Sequence, residues 1–194
     1  MSIRSHVLRV LGDPIDIGQR YHRQLVSGLA IDVGPLGVRV AAIGDHLNTV
    51  RPSKPPKRAC VIWNLEHAAC TQPGRWVYIT KNVADRMPSD DALAFIVAHE
   101  MAHHDLAHLL GRLATTPATM MVAAVLRGAL QAARGHKLEY QADAYAMRLC
   151  RAAGYDPTLC LAALELFIDE PVPVQESQTH PPVPDRLARL AAGL

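Results

Sequence analysis

His99-Glu100-Met101-Ala102-His103 form an H-E-x-x-H pentad. Two histidines four residues apart on a helix project their imidazoles from one face, one turn apart. That geometry fills two of the four tetrahedral positions of a zinc ion and leaves Glu100 beside the metal as a general base. Three fixed letters can recur by chance in a chain with 10 histidines, so the surrounding residues matter. Pro88-Ser89-Asp90-Asp91 reads as a helix start, with Ser89 as cap and two acids in the positive first turn, and Gly111 reads as its stop. Between them Ala92, Ile96, His99, His103, Leu106 and Leu110 step by four and three and make one helical stripe. Both histidines therefore fall on the face that must be buried. A buried imidazole needs a partner, and a metal supplies one. The chemistry implied is zinc-dependent hydrolysis, of peptide bonds first.

Catalytic zinc usually takes three protein ligands and keeps one position open. The extended motif H-E-x-x-H-x-x-G-x-x-H is excluded, because Leu106 and Leu109 stand where it needs glycine and histidine. His104 and His108 miss the register and read as solvated or supporting residues. Further on, Lys137 to Met147 reads as a helix with an apolar stripe of Leu138, Ala142, Tyr145 and Leu149, ended by Gly154. Glu139 and Asp143 lie one turn apart beside that stripe. One carboxylate could bind the metal while the other accepts the N–H of a ligating histidine and fixes its tautomer. A surface acid pair near Lys137 and Arg148 is the alternative that spacing leaves open.

HEMAH followed by Glu139-Tyr140-Gln141-Ala142-Asp143 resembles the H-E-x-x-H … E-x-x-x-A-D signature of the zinc peptidases that include the CAAX prenyl endopeptidase and the HtpX-like proteases. Asn64-Leu65-Glu66-His67-Ala68, with the strand Arg75 to Thr80 after it, resembles the Asn-containing segment of that family. Thr179-His180-Pro181-Pro182, with Arg186 shortly after, resembles its T-H-P-P … R element, so matching elements span about residues 60 to 190. The resemblance implies one Zn2+ per chain held by His99, His103 and Glu139, with Glu100 as base and Asp143 supporting the site. It also places His180 and Arg186 near the active site or in stabilising the transition state. Three roles stay open for His180: donor to the oxyanion, occupant of zinc's open position in a latent enzyme, or packing residue of a Pro-rich strap.

Members of that family often carry transmembrane helices between the two metal motifs. Here the interval holds 35 residues, and its most apolar run, Leu113 to Leu126, is 14 residues long and interrupted by Pro117. A span needs about 20. A buried helix near Ala118 to Ala133 is expected there, with peripheral membrane contact as the alternative. Residues 1 to 24 lack the apolar core of a signal peptide, so a cytoplasmic setting is expected, and Cys60, Cys70, Cys150 and Cys160 are expected as free thiols. A polypeptide substrate is implied; nucleic acid is not, since the net charge is only +2 and no basic patch interleaves with aromatics. Arg51 to Arg58 reads as a solvated, Pro-stiffened loop.

A chain of 194 residues with 49% hydrophobic and 20% charged residues fits one domain, taken as 1–194. Expected elements are a helix over Asp16–Leu29 and strands over Gly37–Ile43, Ala59–Asn64 and Arg75–Lys81. The two metal-motif helices, a helix opened by Asp156-Pro157, and a short last helix after the prolines of 171–184 complete the series. This is an α+β fold: a helical zinc core beside a small antiparallel sheet. An extended peptide added to the edge of the Arg75–Lys81 strand would present its backbone to the metal. The rival functions are a metal-stabilised binding or adaptor domain without turnover, and a hydrolase of small amides or esters.

Overall fold

The computed structural model describes residues 16, 19–20, 22–24, 27, 31–51, 54–63, 69–71, 75–106, 127–168 and 180–193. The elements run β1 (Ile31–Asp32), α1 (Pro35–Thr49), β2 (Arg58–Ile62), β3 (Ala69–Thr71), β4 (Trp76–Thr80), α2 (Lys81–Arg86), α3 (Asp90–Asp105), α4 (Arg127–Ala152), α5 (Pro157–Glu165) and α6 (Val183–Ala191). The architecture is α+β, as expected. Its sheet has the order β1-β2-β4-β3.

The expected antiparallel sheet is in fact mixed. β1 pairs antiparallel with β2 and β3 with β4, but β2 and β4 run parallel, from Arg58 opposite Trp76 to Ile62 opposite Thr80. The chain leaving β2 first forms the outer strand β3 and then turns back into the gap as β4. The reason lies in β4 itself: Val77, Tyr78, Ile79 and Thr80 are all buried. Such a run suits a strand covered on both faces, not one that alternates toward solvent. With neighbours on both sides, β4 has no free edge, so the peptide-binding edge expected there does not exist. Among the described residues the outer edge on that side is β3.

At the centre lies α3. Ser89 Oγ accepts the Ala92 N–H at 3.1 Å, and Asp90 and Asp91 sit in the first turn as the sequence implied. The helix is more enclosed than a single stripe requires, for every residue from Ala92 to His103 is buried. Helices α1, α4 and α5 and strands β3 and β4 pack around it, which is the expected setting of a helix apolar on all sides. The helix ends at Asp105 and Leu106 is 38% exposed, while Gly111 lies outside the described residues.

The strand expected over Gly37–Ile43 is the middle of helix α1. Its buried residues Gly37, Val40, Ile43, Gly44 and Leu47 step by three and four, and Pro35 occupies the first turn. The alternation of Gly37-Val38-Arg39-Val40 covers too few residues to distinguish the two periods. Gly37 is forced by contact: a Cβ there would lie 1.8 Å from the Asp32 carbonyl oxygen of β1. Arg51 and Lys57, expected in a solvated loop, are buried at 4% and 7% exposure.

The Glu139 helix is longer than expected, running unbroken from Arg127 to Ala152. The part of the expected intermediate helix before residue 127 lies outside the described residues. Gly154 closes α4 with φ +85°, where the Tyr155 N–H donates to the Cys150 carbonyl and the Gly154 N–H to that of Arg151, both at 3.0 Å. Asp156 caps α5, with Pro157 in its first turn. Cys60, Cys150 and Cys160 are free thiols, the last two in the core. The described residues between 16 and 27 are helical. Residues 64–68, Thr179 and most of the strap lie outside the described residues.

Replacing Gly37 with alanine forces β1 away from α1. The expected loss in urea unfolding is about 1–3 kcal/mol, the range for overpacking a tight contact.

Candidate metal centre

Helix periodicity delivers two pairs of side chains to one interface. His99 and His103 stand one turn apart on α3, and Glu139 and Asp143 one turn apart on α4. The helices cross so that the pairs interlock. His99 Nδ1 lies 2.8 Å from Asp143 Oδ1, and its Nε2 lies 3.1 Å from Glu139 Oε2. His103 Nε2 is 3.2 Å from His99 Nε2 and 3.5 Å from Glu139 Oε1. The surface-pair reading of Glu139 and Asp143 is thereby excluded: they are 0% and 2% exposed. Glu100, next to His99, is buried at 8% exposure.

The last segment closes the site from behind. Arg186 on α6 donates from Nε to Asp143 Oδ2 at 2.8 Å and from Nη2 to Oδ1 at 2.6 Å, a bidentate pair. His180 Nδ1 lies 2.8 Å from Glu139 Oε2, with the His180 side chain 43% exposed. Both residues therefore meet the carboxylates of α4.

The electrostatics are those of a negative pocket lined by imidazoles. Burial would raise the Glu139 carboxyl, but bonds from His180 and His99 hold it far below the usual range. Asp143 is likewise opposed by burial and is drawn down to about 2 by Arg186 and His99. Burial disfavours charge on His99, yet Asp143 and Glu139 outweigh it and push the ring up to about 10.

These contacts fix the tautomer. Ionised Asp143 can only accept, so His99 Nδ1 carries the hydrogen, and in the neutral ring Nε2 points its lone pair toward His103 Nε2 and the Glu139 carboxylate. Two imidazole nitrogens and a carboxylate oxygen all lie within 4.8 Å of one another. Acceptors so arranged need a cation among them, a proton or a metal. Two nitrogens and one carboxylate are the donor set of a catalytic zinc site.

Two neighbours were harder to foresee. His104 faces the sheet, with Nε2 3.3 Å from the Trp76 carbonyl oxygen. Burial, with Lys57 nearby, lowers it to about 4. At the end of α3, the Asp105 side chain is held by Arg51 and Tyr145. The only sequence signal for this trio was that Asp105 and Tyr145 each follow a site residue by two positions; Arg51 lies in a basic, proline-rich run that reads as surface.

A family model described as Peptidase U49 matches residues 87–194, more than half of the chain, and the match includes every residue of this site. Among solved structures, the chain is similar to the crystal structure of S. mikatae Ste24p, at 15% identity and a TM-score of 0.49, over 86% of this chain and 53% of that one. It thus spans about half the length of that structure. No curated protein matches.

The depressed value of His104 gives a signed expectation. The ring stays neutral in the folded chain down to about pH 4, whereas the unfolded chain takes up the proton near 6.5. Stability from this residue is full above 6.5 and is lost as pH falls toward 4. In His104→Gln the slope of unfolding free energy against pH should be shallower by about one proton across that window.

Proposed function

This chain belongs to the Peptidase U49 family, and from that premise we propose that it is a zinc-dependent endopeptidase, residues 1–194 acting as one catalytic domain. The observation that supports the reading is that ligand atoms of His99, His103 and Glu139 lie within 4.8 Å of one another, with Glu100 next to His99 in the chain on α3. An H-E-x-x-H-plus-glutamate set of this kind is what the resemblance to the HtpX-like peptidases implies.

His99, His103 and the Glu139 carboxylate would hold the zinc, which would supply a Lewis acid to polarise a scissile carbonyl and acidify water. The chain's own residues do the rest. Glu100 takes the proton of the attacking water on its carboxylate and returns it to the leaving amine. Asp143, gripped by Arg186, holds His99 in the tautomer that turns Nε2 to the centre. Arg186 therefore works by orienting, through Asp143. His180 fixes Glu139 through Nδ1, and its ring stands where it can help stabilise the transition state. Its partial exposure suits a residue that meets substrate. A polypeptide in extended form would reach the site along the outer edge of β3, which packs against α3. Among the described residues no helix is long and apolar enough to cross a membrane.

Glu100→Gln separates metal binding from turnover. The variant should keep one zinc per chain while cleavage of an unfolded polypeptide falls by about 10²-fold or more, the lower end for loss of a general base. Equal cleavage by both proteins would remove Glu100 from the mechanism. Zinc uptake without cleavage by the wild type would favour an adaptor domain.

A further inference from the structure

A second polar junction joins α3 to α4, two residues past His103 and Asp143. Asp105 receives two bonds from Arg51, Nε to Oδ2 at 2.7 Å and Nη2 to Oδ1 at 2.5 Å, and the pair is 1% and 2% exposed. The Tyr145 hydroxyl donates to the same Oδ2 at 2.7 Å. Arg51 is itself anchored. Asn48 Oδ1 accepts from Arg51 Nη1 at 2.6 Å and from the Lys57 N–H at 3.0 Å, while Asn48 Nδ2 donates to the Lys57 carbonyl at 2.8 Å. Through Asn48 the trio thus links α1, α3 and α4, with the Arg51 and Asp105 side chains almost out of solvent.

Its placement along the helices matters. Asp105 follows His99 by six residues, and Tyr145 follows Glu139 by six. Six residues advance a helix by about 9 Å. Contact at the donors alone leaves the helices free to pivot about that crossing. Measured from the His99–Glu139 contact, a second tie about 9 Å further along both helices, and about 3 Å past His103 and Asp143, holds the angle as well as the separation. The spread between His103 Nε2 and the Glu139 carboxylate depends on that angle.

We propose that Arg51, Asp105 and Tyr145 form a positioning clamp that sets the α3–α4 crossing and thereby the spacing of the three donors. The proposal rests on the zinc reading above and adds to it residues that touch neither metal nor substrate. The clamp acts through geometry: tightly held donors release the ion slowly, and loosened ones bind it less well.

Tyr145→Phe is the cleanest probe, since it deletes one hydroxyl and leaves the ring and the Arg51–Asp105 pair in place. Zinc affinity of the full chain is measured by competition with a chromophoric chelator, and donor geometry by the visible spectrum of the Co(II)-loaded protein. Residues bonded directly to a ligand change metal affinity by about 10–100-fold. One layer further out, Tyr145→Phe should raise the zinc dissociation constant about three- to tenfold and alter the Co(II) bands. Arg51→Lys keeps the charge but loses the two-pronged grip, and should act in the same direction. Arg39→Ala breaks the exposed Arg39–Asp90 pair at the opposite end of α3 and should change neither reading. Wild-type affinity and spectrum in Tyr145→Phe would overturn the clamp, whatever happens to Tm. A wild-type chain that takes up no zinc would overturn the zinc reading, and the clamp with it.

Discussion

The structure depends on the burial of two carboxylates between two helices. Glu139 and Asp143 have almost no contact with solvent, and isolated charges in such a place would be prohibitive. They are tolerable because His99, His180 and Arg186 converge on them from two other segments. A buried pair of this kind adds little net stability, but losing one partner strands the other and is strongly destabilising, by about 3–5 kcal/mol. The arrangement therefore specifies how the chain must assemble. Helix α6 docks where Arg186 meets Asp143, and α4 crosses α3 where His99 meets both acids.

The same constraint explains why the core surrounds α3. A helix that turns two histidines inward toward buried carboxylates must be positioned closely, and rigid elements achieve that better than loops. Ala92 to Ala98 pack on all sides, with sheet and helices enclosing them. The Arg51–Asp105–Tyr145 junction extends that support past the last histidine, at the end where the described part of α3 meets solvent. His99, Asp143 and Arg186 then form one chain of contacts.

The site was more legible in the sequence than the scaffold. Motifs made of residues one turn apart declare both their helix and their shared face, so His99, His103, Glu139 and Asp143 could be set on the correct helices from spacing. Caps at Ser89 and Asp156 and the stop at Gly154 were equally local signals. The failures were non-local. Strand order depends on which strand is covered on both faces, and β4 announces this only through a short apolar run. The alternation of Gly37 to Val40 imitated a strand because the helical period needs more residues to show itself. Arg51 looked like a surface charge because its partner Asp105 is 54 residues away.

His99, His103 and Glu139 are proposed to share one zinc ion. Anomalous diffraction at the zinc edge, from crystals of the full chain grown with the metal, tests it most directly. The account predicts one strong peak about 2.0–2.2 Å from His99 Nε2, His103 Nε2 and a Glu139 carboxylate oxygen. A peak at other residues, or none at this site in zinc-replete crystals, would contradict it.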